Sequence, residues 1–287
     1  MLYAKKISEE HITFIQAVYK KENHAIPYAF KEEDADLDSP RLFTDIFYLN
    51  FTSQMSNIAL VGYSLSLNLA VRKDIFLFYK KCISDAMEIQ ERSKSLQLAK
   101  GVYQRAPYIP VPQKIDFVAR KSFLKGLKKK RPMTSLEIAH LYLNFQRNNL
   151  GEAALLGFAQ VARSKDVKAY FRRGVEISRK HKEIFRDSLQ EGGMPVSESW
   201  GQEPEQSTEF TFSDKLTLFF TTALTALSIG FYSQSSAMSP RLDLSIDYAR
   251  LLAEISLFAE DGANIMIKNE WLEQPPTATD REGLLED

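Results

Sequence analysis

Two histidines are the residues best placed to do chemistry in this chain. His11 is followed by Phe14, Ile15 and Val18, and His181 by Ile184, Phe185 and Leu189. Each therefore sits on or beside the apolar stripe of a helix, at matching spacing. An imidazole there can serve as a metal ligand or proton carrier, because it titrates near neutral pH and coordinates iron, zinc or, with carboxylates, manganese. A nearby carboxylate such as Glu10 would supplement it. The competing reading is a hydrogen-bonded core or edge histidine. His24 and His140 have no such counterpart, and Cys82 reads as a small buried apolar residue. No Gly-rich phosphate loop, Cys-x-x-Cys pair, nucleophile elbow or His-Glu-x-x-His motif is present, so no catalytic or cofactor-binding residue is assigned. The leading expectation is no cofactor; the alternative is iron, zinc or manganese at His11 and His181.

The elements that would position these histidines come in duplicate. An offset of 169 places Phe43-Thr44-Asp45 on Phe212-Ser213-Asp214, Phe51-Thr52 on Phe220-Thr221, Tyr63-Ser64 on Tyr232-Ser233 and Tyr79 on Tyr248. An offset of 170 places Ile7, Ser8 and His11 on Ile177, Ser178 and His181. This is a tandem duplication, and each histidine belongs to the same helix of its repeat.

The second copy predicts four helices. Thr134 with Glu137 makes a capping box that opens helix A, which runs to about Ala162. Helix B ends at Gly192-Gly193, Ser213 caps helix C, and helix D spans about Asp243 to Glu270. The first copy has B, C and D but no A. The expected organisation is a first helical repeat over 1–104, a Pro-rich then basic linker over 105–133, a second repeat over 134–273 and a loose tail over 274–287. The Lys125–Arg131 run reads as solvated linker. Four helices of such length make a four-helix bundle, so the fold class is all-α, as tandem bundles with the first lacking its helix A.

Both helices C are uncharged, from Ile46 to Val71 and from Leu216 to Pro240. Either is long enough to cross a bilayer. The first, however, carries Asn50, Gln54, Asn57, Asn68 and many hydroxyls, and the second carries Gln234 with a similar load of Ser and Thr. That composition fits a helix enclosed by protein on most sides rather than a membrane span. On helix D, Tyr248, Leu251, Leu252, Ile255, Phe258 and Met266 define one face. Glu254, Glu260 and Asp261, with Asp85, Glu91 and Arg92 in the other copy, fall about 100° or more away and read as flanking or solvated.

With 37 basic and 37 acidic residues the net charge is zero, which removes the simplest argument for a nucleic-acid partner. A single cysteine fits a reducing, cytoplasmic setting.

The motifs Asp38-Ser-Pro-Arg-Leu-Phe, Phe212-Ser-Asp-Lys-Leu, Ala106-Pro-Tyr-Ile-Pro, Tyr248-Ala-Arg-Leu-Leu-Ala-Glu-Ile and Glu260-Asp-Gly-Ala-Asn-Ile-Met-Ile resemble the two-repeat family catalogued as domain of unknown function 3231, from endospore-forming bacteria. The resemblance covers essentially the whole chain. It implies ferritin-like four-helix bundles and a spore-coat-like, sporulation-linked setting, with no established activity. Two departures stand out. Ser8 and Ser178 occupy the positions three before His11 and His181, and helix D has no histidine, so the ferritin-like di-iron set is absent. The first repeat also lacks helix A, which predicts an open apolar groove there, or one filled by another segment or chain.

The reading that follows is a non-enzymatic structural or interaction protein. Its expected partner is another protein or a second copy, held through the helix C faces and the open groove of the first repeat, with no nucleic acid and no membrane span. A small apolar ligand between the repeats, in a closed cavity lined by helices C, is a third option.

Overall fold

A computed structural model describes residues 1–126, 130–197 and 203–281. The described chain is all-helical apart from isolated bridges. Helices α1 (Leu2–Lys21), α2 (Asp45–Leu69) and α3 (Lys73–Ala99) are B, C and D of the first repeat. Helices α4 (Ser135–Val161), α5 (Lys165–Glu191), α6 (Asp214–Ala237) and α7 (Leu242–Lys268) are A to D of the second. Helix hairpins α2–α3, α4–α5 and α6–α7 form the main packing pairs, and α4 also meets α2.

Side chains start the helices where the sequence places them. Thr44 and Ser213, equivalent in the two repeats, accept from the backbone N–H of Phe47 and Leu216, each at 3.0 Å. Such a cap is worth about 1 kcal/mol. At the start of α4 the reciprocal Thr134–Glu137 box is present. The carboxylate of Glu137 is fully buried. It takes two parallel bonds from Arg131 at 2.8 Å and accepts from the backbone N–H of Thr134 and Arg241. One acidic side chain thus joins the linker, α4 and α7. The basic run is accordingly anchored at its end rather than fully solvated. Lys130 pairs with Glu191, and Arg131 packs its guanidinium 3.9 Å from the Phe123 ring centre. Lys128 and Lys129 lie outside the described residues.

An approximate two-fold relation joins the repeats. Ahead of the two helices C, Ala35 bridges Phe212 while Phe43 bridges Pro204, both antiparallel. Each residue of one bridge is equivalent to one of the other by the 169 offset. The hydrogen bonds follow suit: Asp36 N–H donates to Thr211 O at 3.0 Å and Glu205 N–H to Leu42 O at 2.8 Å. Farther along, the equivalent rings of Phe51 and Phe220 meet at 5.4 Å.

The core lies mainly in the second repeat but is shared. Leu42, Phe43 and Phe47 are buried in the same cluster as Phe158, Phe171 and Leu218. Gly157 permits this approach, since a Cβ there would come within 2.5 Å of the Phe43 ring.

Coverage is unequal. Of α1 only Ile7 is buried, and of α2 only Phe47, Ser53 and Ser56, whereas α6 buries Thr217, Leu218, Thr221, Phe231, Tyr232 and Ser235. The helix C of the first repeat is the less covered of the two, as expected from the sequence. Neither helix C, however, is enclosed on most sides. Val61, Leu65 and Leu69 on α2 and Phe219 on α6 remain exposed. Among the described residues α6 alone is long and apolar enough to cross a membrane by length and composition.

Candidate functional site

The two histidines form equivalent pairs in the two repeats. On α1, His11 Nε2 lies 2.9 Å from Asp85 Oδ2 on α3. On α5, His181 Nε2 lies 3.0 Å from Glu254 Oε2 on α7. Asp85 and Glu254 occupy the same position of helix D. They were expected on the solvated flank and are instead the partners of the histidines. In a bundle, a flank next to a neighbouring helix lies within reach of a long side chain, so an angle measured from one apolar face underestimates burial.

A lysine supports each carboxylate. Lys81 Nζ lies 2.7 Å from Asp85 and 3.1 Å from Glu10, and Lys180 Nζ lies 2.9 Å from Glu254. The lysine comes from helix D in one repeat and from helix B in the other, so the charge is retained while its origin is exchanged. Glu10 therefore engages Lys81 rather than His11. Burial raises the affinity of Asp85 and Glu254 for a proton, but the lysine and histidine bonds outweigh it, and both carboxyls sit below their ordinary values.

In the second repeat the pair extends into a chain across four helices. His181 Nδ1 lies 3.1 Å from the Tyr232 hydroxyl on α6, and Asn148 Nδ2 on α4 donates to that hydroxyl at 2.7 Å. A carboxylate can only accept, so the His181 proton resides on Nε2, and Nδ1 accepts from the Tyr232 O–H. Burial pushes His181 below its ordinary 6.5 despite the attraction of Glu254, which agrees with a neutral ring. Burial also holds the Tyr232 phenol well above its usual range. In the first repeat Tyr63, equivalent to Tyr232, meets His11 edge-on at 6.1 Å.

This arrangement holds a proton; it does not present one. Both ring nitrogens of His181 are engaged within the protein. The residues do not fit the metal assignment. Each histidine has one carboxylate partner, already neutralised by a lysine, and the two histidines stand in separate repeats. Among the described residues no group of three or more His, Cys, Asp or Glu side chains could hold a metal ion. Cys82 is buried, as its sequence context suggests, and its thiol is pushed up to about 11.

Two features escaped the sequence reading. His140 joins a buried polar cluster, with Ser235 Oγ 3.1 Å from its Nδ1 and Asn144 Nδ2 donating to Ser235 at 2.8 Å. Arg147 is half-buried between the repeats. Its signal was present in the sequence: it is the only charged residue between Glu137 and Glu152. Beside it is a cavity of about 120 Å³ lined by residues of both helices C, among them Phe51, Met55, Phe220 and Leu224. This is the space considered for an apolar ligand, but it is partly open rather than closed.

The family model for "protein of unknown function (DUF3231)" matches residues 1–115 and 121–284, once for each repeat. No curated protein matches the chain. One solved structure, of a candidate spore coat protein from Bacillus halodurans C-125, is similar at a TM-score of 0.50 and 15% identity, covering 52% of this chain and 98% of that one. It corresponds in extent to about one repeat and shares the fold. With both repeats matched over nearly the whole length, the chain belongs to the family of proteins described as domain of unknown function 3231.

Proposed function

We propose that the protein is a non-enzymatic structural protein, cytoplasmic and spore-associated, that assembles with itself through its first repeat. The observation that carries this reading is the apolar surface of the first repeat. His181 and Glu137 of the second repeat are committed to internal hydrogen bonds, while the first leaves Ile12 and Ile15 on α1 and Val61, Leu65 and Leu69 on α2 exposed. The α2 residues recur every four positions and so form one row along the helix. Apolar rows left open on a helix are characteristic of association surfaces. The spore coat description of the structural neighbour supports the setting, and the ferritin-like character that the family resemblance implies is compatible with a bundle scaffold.

Sedimentation of the full chain over a range of concentrations tests the reading. Concentration-dependent association is expected, and the double variant Val61→Glu/Leu65→Glu should remain monomeric. A wild-type protein that is monomeric throughout, or association unaltered in the variant, contradicts it.

A further inference from the structure

Arg147 projects from α4 into the space between the repeats, and no described carboxylate pairs with it. Its Nη1 donates to Asn144 Oδ1 at 3.2 Å, its guanidinium lies 3.7 Å from the Phe231 ring centre, and its Nε is buried without an acceptor. Partial burial lowers its proton affinity to about 10, with no carboxylate beside it to offset the loss of water. Buried charges in folded proteins are paired or they carry a cost.

Two spaces meet at this residue. On one side is the apolar cavity of about 120 Å³, walled by Phe51, Met55, Phe158, Phe220, Leu224 and Phe231. That is close to the ~150 Å³ of a dry cavity that takes up benzene, so a short alkyl chain or a single ring fits and a long acyl chain does not. On the other side is a cleft of about 510 Å³ against α2 and α3, lined by amides including Gln54, Gln90, Gln146 and Asn149. Among its described lining residues the only charged groups are Lys94 and Arg147. A donor-rich cleft with two cations and no carboxylate selects for an anion.

We propose that the junction binds an amphipathic monocarboxylate carrying a short alkyl chain or a single ring, with its carboxylate on Arg147 and its apolar part in the cavity between the helices C. A bidentate pair on its Nη groups matches the guanidinium fork to a carboxylate. The cavity contributes the apolar burial that a bare anion such as acetate cannot exploit.

Calorimetric titration of the full chain with benzoate, benzyl alcohol and acetate decides the matter. Benzoate is expected to bind at least ten-fold more tightly than either, because both charge and apolar ring are required. Arg147→Met should abolish the preference for benzoate over benzyl alcohol. Leu224→Trp, which fills the cavity and leaves the charge in place, should reduce benzoate binding at least ten-fold. Equal affinity for benzoate and benzyl alcohol, no benzoate binding, or binding unchanged in both variants overturns the proposal. Should Arg147→Met not fold, the benzoate–benzyl alcohol comparison and Leu224→Trp decide alone.

Discussion

His181 shows how a residue that invites a catalytic reading can be committed to structure. Its ring is fully buried and bonded on both nitrogens, and its proton affinity is lowered. The unfolded chain therefore binds a proton at higher pH than the folded one. Folding stability is fully present above about 6.5 and falls as pH drops from there toward the lower folded value. Thermal unfolding followed from pH 8 to pH 5 should show this decline, and His181→Gln should flatten it. His181→Ala removes one partner each from Tyr232 and Glu254 and opens a void, at an expected cost of about 2–4 kcal/mol. Glu137 makes the opposite case, a buried carboxylate that must be charged. Glu137→Ala strands Arg131 and the N–H of Arg241, and chemical denaturation should register a loss of about 3 kcal/mol or more. Arg147 differs from both, because its charge has no described carboxylate partner. Arg147→Met should leave stability unchanged or raise it, which is the behaviour of a residue kept for something other than folding.

At the scale of elements, the duplication and the local rules of helix termini made most of the fold legible. Thr134, Ser213 and Gly192 mark helix ends because capping chemistry is local, and the structure places helix boundaries beside them. The partners of the histidines were not legible. Which carboxylate faces His11 depends on how α1 lies against α3, and nothing in the periodicity of either helix encodes that. Arg147 stood out as a lone charge between Glu137 and Glu152, but its place between the repeats is a matter of tertiary packing. Uneven coverage of the helices leads to a paired prediction. Val61→Glu and Leu65→Glu change side chains 55% and 64% exposed and should alter monomer stability by no more than about 0.5 kcal/mol. Leu218→Ala, at the fully buried position of α6, should cost about 2–5 kcal/mol in the same denaturation experiment.

At the scale of the molecule, the reciprocal bridges and the Phe51–Phe220 contact make the chain a fused pair of repeats about a pseudo-two-fold axis. Because Leu42, Phe43 and Phe47 belong to the core of the second repeat, the two halves should melt as one cooperative transition in calorimetry, despite the thin cover of the first. A double-mutant cycle on Phe51→Ala and Phe220→Ala should give a coupling of about 0.5–1.5 kcal/mol, the usual value for an aromatic pair.

The central claim is that the interior of the second repeat is locked and that association runs through the first. Hydrogen exchange at low and high protein concentration tests it most directly. The account predicts that added protein slows exchange in α1 and α2 and leaves α5 and α7 unchanged. Protection that rises in α5 and α7 instead, or in no helix at all, would contradict it.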